Sequence, residues 1–147
     1  LMEQRDFKPE DFKVLHPGGN LGLQMLTVSQ LMRTKSEMAI VKHDLTMSSV
    51  VSYMTKTGFG VAILVDENGT LTGIITDGDL RRNINGLLNS SPRDIATLNP
   101  KSVEPSDLVS VALAKMEKYK VYSIVVIEDD QPVGLLRMHD ILRSGIK

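Results

Sequence analysis

The chain has 147 residues, 17 Lys plus Arg against 18 Asp plus Glu, a net charge of −1 and no cysteine. That length suits one compact domain or two small ones sharing a core, and the missing cysteines exclude a disulfide framework and a thiolate metal site. Near-neutrality gives no field to recruit nucleic acid or an anionic membrane, and no apolar run approaches the roughly 20 residues of a membrane span. A cytoplasmic protein is therefore expected. The first residue is Leu1 and "LMEQRDFKPEDF" begins in mid-pattern, so a piece of a longer chain is expected as well.

In chain order, the first distinctive phrase is Leu15 to Gly22, "LHPGGNLG". Gly18, Gly19 and Gly22 form no dinucleotide fingerprint, because no strand precedes them and no acidic residue follows in a βαβ unit. His16 has no visible carboxylate partner, and His-Pro-Gly-Gly reads as a turn.

Beyond residue 45 the chain repeats itself. Met54 falls on Met116, Ile63 on Val125 and Val65 on Ile127 at a constant offset of 62. After one turn residue is lost the offset becomes 61, placing Gly73 on Gly134, Asp79 on Asp140 and Arg82 on Arg143. Each copy opens with an amphipathic helix, capped by Thr46 or Ser106 and buried through Val50, Val51 and Met54 or through Val109, Ala112, Leu113 and Met116. Next comes a hairpin, "VAILVDENGTLTGIIT" around Asn68-Gly69 and "SIVVIEDDQPVGLLRM" around Asp129 to Pro132. A second helix begins near Asp77 and near His139, with Leu80 and Ile84, or Ile141 and Leu142, on its apolar side. The eight methionines, Met25, Met32, Met54 and Met116 among them, read as adaptable core filler. One copy cannot cover its own apolar face, so the expected architecture is α+β, with two hairpin-and-helix repeats packed as a pseudo-two-fold pair.

The polar chemistry concentrates at the hairpin ends. In "TDGDLRR", Asp79 suits the two hydroxyls of a ribose, Thr76 a phosphate, and Arg81 and Arg82 its counter-charge. Thr76-x-x-Asp79 equally fits a capping box, a purely structural device, and the two roles are compatible. Asp77-Gly78-Asp79 lacks the ligand spacing of a calcium loop, so no metal is assigned. In the second copy Arg137 replaces Thr76 and His139 replaces Gly78, while the acid persists as Asp140. Arginine has no acceptor, so Arg137 pairs with a phosphate, a sugar-acid carboxylate or Asp140 itself, or stays an exposed strand-end charge. His139 is either a ligand contact or a solvent-facing residue of the first helical turn. Phe59 and Tyr122, near the strand starts, are placed to flank a base.

The repeat ending in "GIITDGDL" and "GLLRMHDI" resembles a tandem cystathionine-β-synthase (CBS) domain pair over about Val28 to Ser144. "LHPGGNLG", "LTVSQLM", "TDGDLRR" and "MHDILRSG" together are similar to bacterial arabinose-5-phosphate isomerases, in which a sugar isomerase (SIS) domain precedes the CBS pair. The resemblance implies residues 1–27 as the tail of that domain and a linker, 28–90 as the first repeat and 91–147 as the second. It implies a regulatory pair, inert by itself, that needs no cofactor, binds a nucleotide or nucleotide sugar and forms homo-oligomers through CBS pairs. It also makes His16 an orphaned catalytic residue of the missing isomerase domain. The parent reaction would interconvert ribulose 5-phosphate and arabinose 5-phosphate for Kdo and lipopolysaccharide synthesis, which makes CMP-Kdo a candidate ligand beside an adenine nucleotide. A sensor module of another enzyme and a ligand-free dimerisation module are the alternatives.

Overall fold

Val61 to Val65 reads as five apolar residues in succession, and a strand can bury all five only if both of its faces are covered. The computed structural model, which describes residues 25–144, shows that arrangement. Ala62 and Leu64 of β3 (Val61–Val65) face the helix of their own repeat, while Val61 and Ile63 face the other repeat. At the pseudo-two-fold contact Ile63 meets Val125 and Leu135, and Met38 closes the same cluster.

In the first repeat β2 (Ala39–Lys42) runs parallel to β3 and leads into α2 (Met47–Thr57). The Thr46 hydroxyl accepts the Ser49 N–H at 3.2 Å to start that helix, Met47, Val50 and Met54 bury its inner face, and Gly58 ends it in the left-handed region. At the hairpin tip, Asp66 Oδ1 accepts the N–H groups of Asn68 at 2.9 Å and Thr70 at 3.0 Å. This turns the chain into β4 (Leu71–Thr76) and then α3 (Asp77–Arg82). The second repeat runs through β6 (Ser102–Val103), α5 (Val109–Tyr119), β7 (Ser123–Glu128), β8 (Gln131–Arg137) and α6 (Met138–Arg143).

The repeats exchange their edges. α1 (Val28–Leu31) packs Val28 into the second repeat's core, and β1 (Arg33–Thr34) pairs with β8. Reciprocally, α4 (Pro92–Ile95) packs Ile95 into the first repeat's core, and β5 (Thr97–Leu98) pairs with β4. The two sheets run β2-β3-β4-β5 and β1-β8-β7-β6. Gly134 and Gly73 permit this approach, since a Cβ at Gly134 would lie 2.9 Å from the Arg33 carbonyl oxygen and one at Gly73 3.0 Å from that of Thr97.

Three local expectations are corrected. Ser106 does not cap α5: its first residue follows Leu108, and the Val109 N–H donates to the Leu26 carbonyl at 2.9 Å, so a neighbouring segment does the work of a side chain. Ile84 is no part of the apolar side of α3, which stops at Arg82 and leaves Ile84 65 % exposed. Met54 and Met116 are core residues, but Met25 is 63 % exposed.

Candidate functional site

Both hairpins end where a helix begins, so the last strand residue and the acid three positions later are brought together twice. At the end of β4 the capping box is complete. Thr76 Oγ1 accepts the Asp79 N–H at 3.3 Å, and Asp79 Oδ2 accepts the Thr76 N–H at 2.9 Å and its hydroxyl at 3.1 Å. Arg82 Nη2 donates to the other carboxylate oxygen, Oδ1. Asp79 is thereby the one buried charged residue among the described residues, at 7 % exposure.

This carboxylate lines a cleft of about 700 Å³ between the repeats, with Val61 and Ile74 from the first and Val125 and Leu135 from the second as apolar walls. Phe59 and Tyr122 border it, and Tyr122 is 79 % exposed. Gly60, at φ 72, also lines it. Its carbonyl accepts the Asp77 N–H at 3.0 Å, and a Cβ there would stand 2.6 Å from Asp77 Oδ2.

At the end of β8 the same position gives the opposite result. Arg137 sets Nε 2.8 Å from Asp140 Oδ2 and Nη2 3.0 Å from Oδ1. Arg33, delivered by the exchanged strand β1, adds Nε at 3.2 Å to Oδ2 and Nη2 at 3.0 Å to Oδ1. The Phe59 ring lies against both guanidinium groups, with its centroid 4.2 Å from Arg137 Cζ and 5.3 Å from Arg33 Cζ. Partial burial pushes the Asp140 carboxyl up, but hydrogen bonds from Arg137 and Arg33, together with their charges, outweigh it and hold the group at about 2 against an ordinary 3.8. Asp140 borders a shallower depression of about 320 Å³ shared with Met32, Arg33, Glu37 and Arg143.

The residues singled out in the sequence thus separate into groups. Thr76, Asp79 and Arg82 meet at the large cleft. Arg137 and Asp140 pair with each other outside its lining, whereas Arg81 and His139 are exposed and do not line it. His16 lies outside the described residues. Sequence reasoning missed Arg33, Tyr119, Lys101 and Lys120, of which the last three line the large cleft. Only Lys120 carried a signal, because it falls on Gly58 at the repeat offset. Among the described residues no group of three or more His, Cys, Asp or Glu side chains could hold a metal ion, and no helix is long and apolar enough to cross a membrane.

A model of the CBS domain matches residues 28–86 and 93–147. The arabinose 5-phosphate isomerase KdsD of Pseudomonas aeruginosa is 38 % identical over 151 residues, which cover 99 % of this chain and 46 % of that protein. KdsD of Escherichia coli is 35 % identical over 150 residues, with the same coverage of 99 % and 46 %. The chain therefore spans about half the length of the curated relatives it matches. Among solved structures, the CBS domain pair of protein MJ0100 in complex with 5′-methylthioadenosine and S-adenosyl-L-methionine is similar at a TM-score of 0.74 and 22 % identity, covering 81 % of this chain and 94 % of that one. CBSX2 in complex with AMP is similar at a TM-score of 0.71 and 20 % identity, covering 82 % and 96 %. At these identities the likeness is one of fold.

Proposed function

Because the chain belongs to the CBS domain family, as a tandem pair of its repeats, we propose that it is the regulatory, nucleotide-binding pair of an arabinose 5-phosphate isomerase and holds one ligand at Asp79. The observation that carries this reading is the inequality of the two acids. Asp79 stands at a cleft of about 700 Å³, within the usual range of roughly 300–1,000 Å³ for small-molecule sites, and Asp140 is filled by two arginines. The apolar walls suit a base, Phe59 and Tyr122 offer ring faces at the border, and the Asp79 carboxylate suits ribose hydroxyls once Arg82 gives way.

The isomerase assignment is supported by relatives bearing that name at 35–38 % identity over 99 % of this chain. The parent protein would interconvert ribulose 5-phosphate and arabinose 5-phosphate, and CMP-Kdo, downstream of that reaction, would report on demand for it. An adenine nucleotide is the second reading, supported by the likeness to CBSX2 in complex with AMP. With Arg137 committed to Asp140, the carboxylate of a sugar acid would be met by Arg82 or by the lysines at the cleft.

Thermal shift against AMP, ATP, CMP and CMP-Kdo tests the proposal. A ligand at 100 times its Kd stabilises the fold by about 2.7 kcal/mol, so selective stabilisation by one of the four is expected. Indifference to all of them would overturn the sensor reading and favour a module that only holds subunits together.

A further inference from the structure

The helices α2 and α5 end at equivalent positions, and both ends are left-handed. Gly58 closes the first at φ 75, ψ 9, and Lys120 closes the second at φ 58, ψ 45. Glycine takes up this conformation freely, whereas a residue with a Cβ crowds the following carbonyl oxygen. The second repeat therefore carries a strained lysine where the first shows that glycine serves. Strain held at one point of a fold directs attention to what its side chain reaches.

Lys120 borders the large cleft, as do Lys101 and Arg82. Arg82 is taken up by Asp79, and Lys101 Nζ lies over the Tyr119 ring, 4.6 Å from its centroid. Among the described residues no hydrogen bond or ion pair engages the Lys120 ammonium. The acidic groups lining the cleft, Asp77 and Asp79, both belong to the first repeat, so the second repeat's side of the lining is cationic only. A ligand whose ribose rests on Asp79 would meet Lys101 and Lys120 with whatever extends toward the second repeat.

We infer that Lys120, assisted by Lys101, selects the phosphorylated form of the ligand, so that one nucleotide spans both repeats with its sugar on Asp79 and its phosphate on the Lys120 side. This rests on the nucleotide reading above and adds to it a specificity-determining residue and a charge class. A phosphorylated nucleoside is favoured, and a neutral nucleoside or a cationic sulfonium nucleoside is not.

Calorimetric titration of the whole chain with adenosine against AMP and with cytidine against CMP tests this, on wild type, Lys120→Gly and Lys120→Arg. The wild type is expected to prefer the phosphate of the better-bound pair by about tenfold, as one charge-assisted contact allows. Lys120→Gly should remove most of that preference and flatten the salt dependence of affinity, while its melting temperature stays level or rises because glycine relieves the left-handed turn. Lys120→Arg should retain the preference. Affinity and stability thus move in opposite directions in the glycine variant, which a merely structural lysine would not produce. Unchanged phosphate preference in Lys120→Gly, or equal wild-type affinity for nucleoside and nucleotide, overturns the inference and leaves the nucleotide site standing. If the wild type binds none of the four compounds and neither ATP nor CMP-Kdo, the nucleotide reading falls and takes the inference with it.

Discussion

Arg137 lies three residues before Asp140, at the position that Thr76 holds before Asp79, and its guanidinium covers both oxygens of that carboxylate at 2.8 and 3.0 Å. Thr76 engages one oxygen of its acid with a hydroxyl and an amide, and the cleft opens beside it. Arg137, joined by Arg33, fills both oxygens of the other acid and stacks on Phe59, which also lines the Asp79 cleft. One difference within a repeated motif thus places the second acid in an ion cluster, and Phe59 lies against both that cluster and the cleft.

Asp79→Ala and Asp140→Ala are therefore expected to part company. Loss of Asp79 should weaken nucleotide binding about tenfold or more, as a hydrogen bond to a charged group is worth about 1.5–3 kcal/mol, and should cost about 1 kcal/mol of stability through the capping box. Loss of Asp140 should leave affinity nearly unchanged but lower stability, since it leaves Arg137 and Arg33 without their shared carboxylate. Calorimetric titration and melting curves on the same preparations separate the effects. Equal affinity losses would strip the asymmetry of functional meaning.

The Asp140 cluster also sets an acid limit on stability. Its carboxyl titrates at about 2 in the folded protein against an ordinary 3.8, so the native state holds fewer protons than the unfolded chain between those values. The contribution, about 1 kcal/mol after solvent screening is allowed for, is complete above the unfolded value and is lost as pH falls toward 2. Urea melts at pH 5, 4, 3 and 2 should show this decline in the wild type, and Asp140→Asn should lack that part of it. Identical pH profiles for the two proteins would exclude the cluster as the cause.

Gly134→Ala is expected to destabilise the chain by about 1–3 kcal/mol, because its Cβ would press on the Arg33 carbonyl 2.9 Å away and separate β1 from β8. The same displacement would draw Arg33 off Asp140, so the acid-dependent loss of stability should shrink along with the denaturation midpoint. Gly73→Ala, facing the Thr97 carbonyl at 3.0 Å, should cost a similar amount without altering the acid profile. Chemical denaturation of both variants at neutral and acid pH distinguishes them.

The purified chain is expected not to convert arabinose 5-phosphate to the ketose. His16 by itself cannot bind the substrate, supply a second acid–base group and exclude water. A coupled assay for ribulose 5-phosphate should remain at background with this chain. Turnover above background would contradict the reading of it as regulatory.

The capping box at Thr76 and Asp79 was legible because it depends on residues three apart, and both hairpins were legible because β-branched runs and turn residues are local signals. The start of α5 was not. Ser106 has the right chemistry for a cap, but the Leu26 carbonyl, far away in sequence, meets the Val109 N–H instead. Arg33 gave no warning either, since its partner Asp140 lies 107 positions further along the chain.

From its own order of residues the chain specifies two hairpin-and-helix units, their approximate bounds and the paired acids at Asp79 and Asp140, because each is encoded within a few residues by periodicity, capping and turn chemistry. The tertiary structure alone decides that Asp79 lines the large cleft and Asp140 does not. β1 crosses to β8 and carries Arg33 onto Asp140, while β5, its counterpart, brings Thr97 to the edge of the Asp79 cleft. The exchange buries apolar faces that neither repeat can cover alone, and the arginine arrives as a consequence of that packing, beyond the reach of any local pattern.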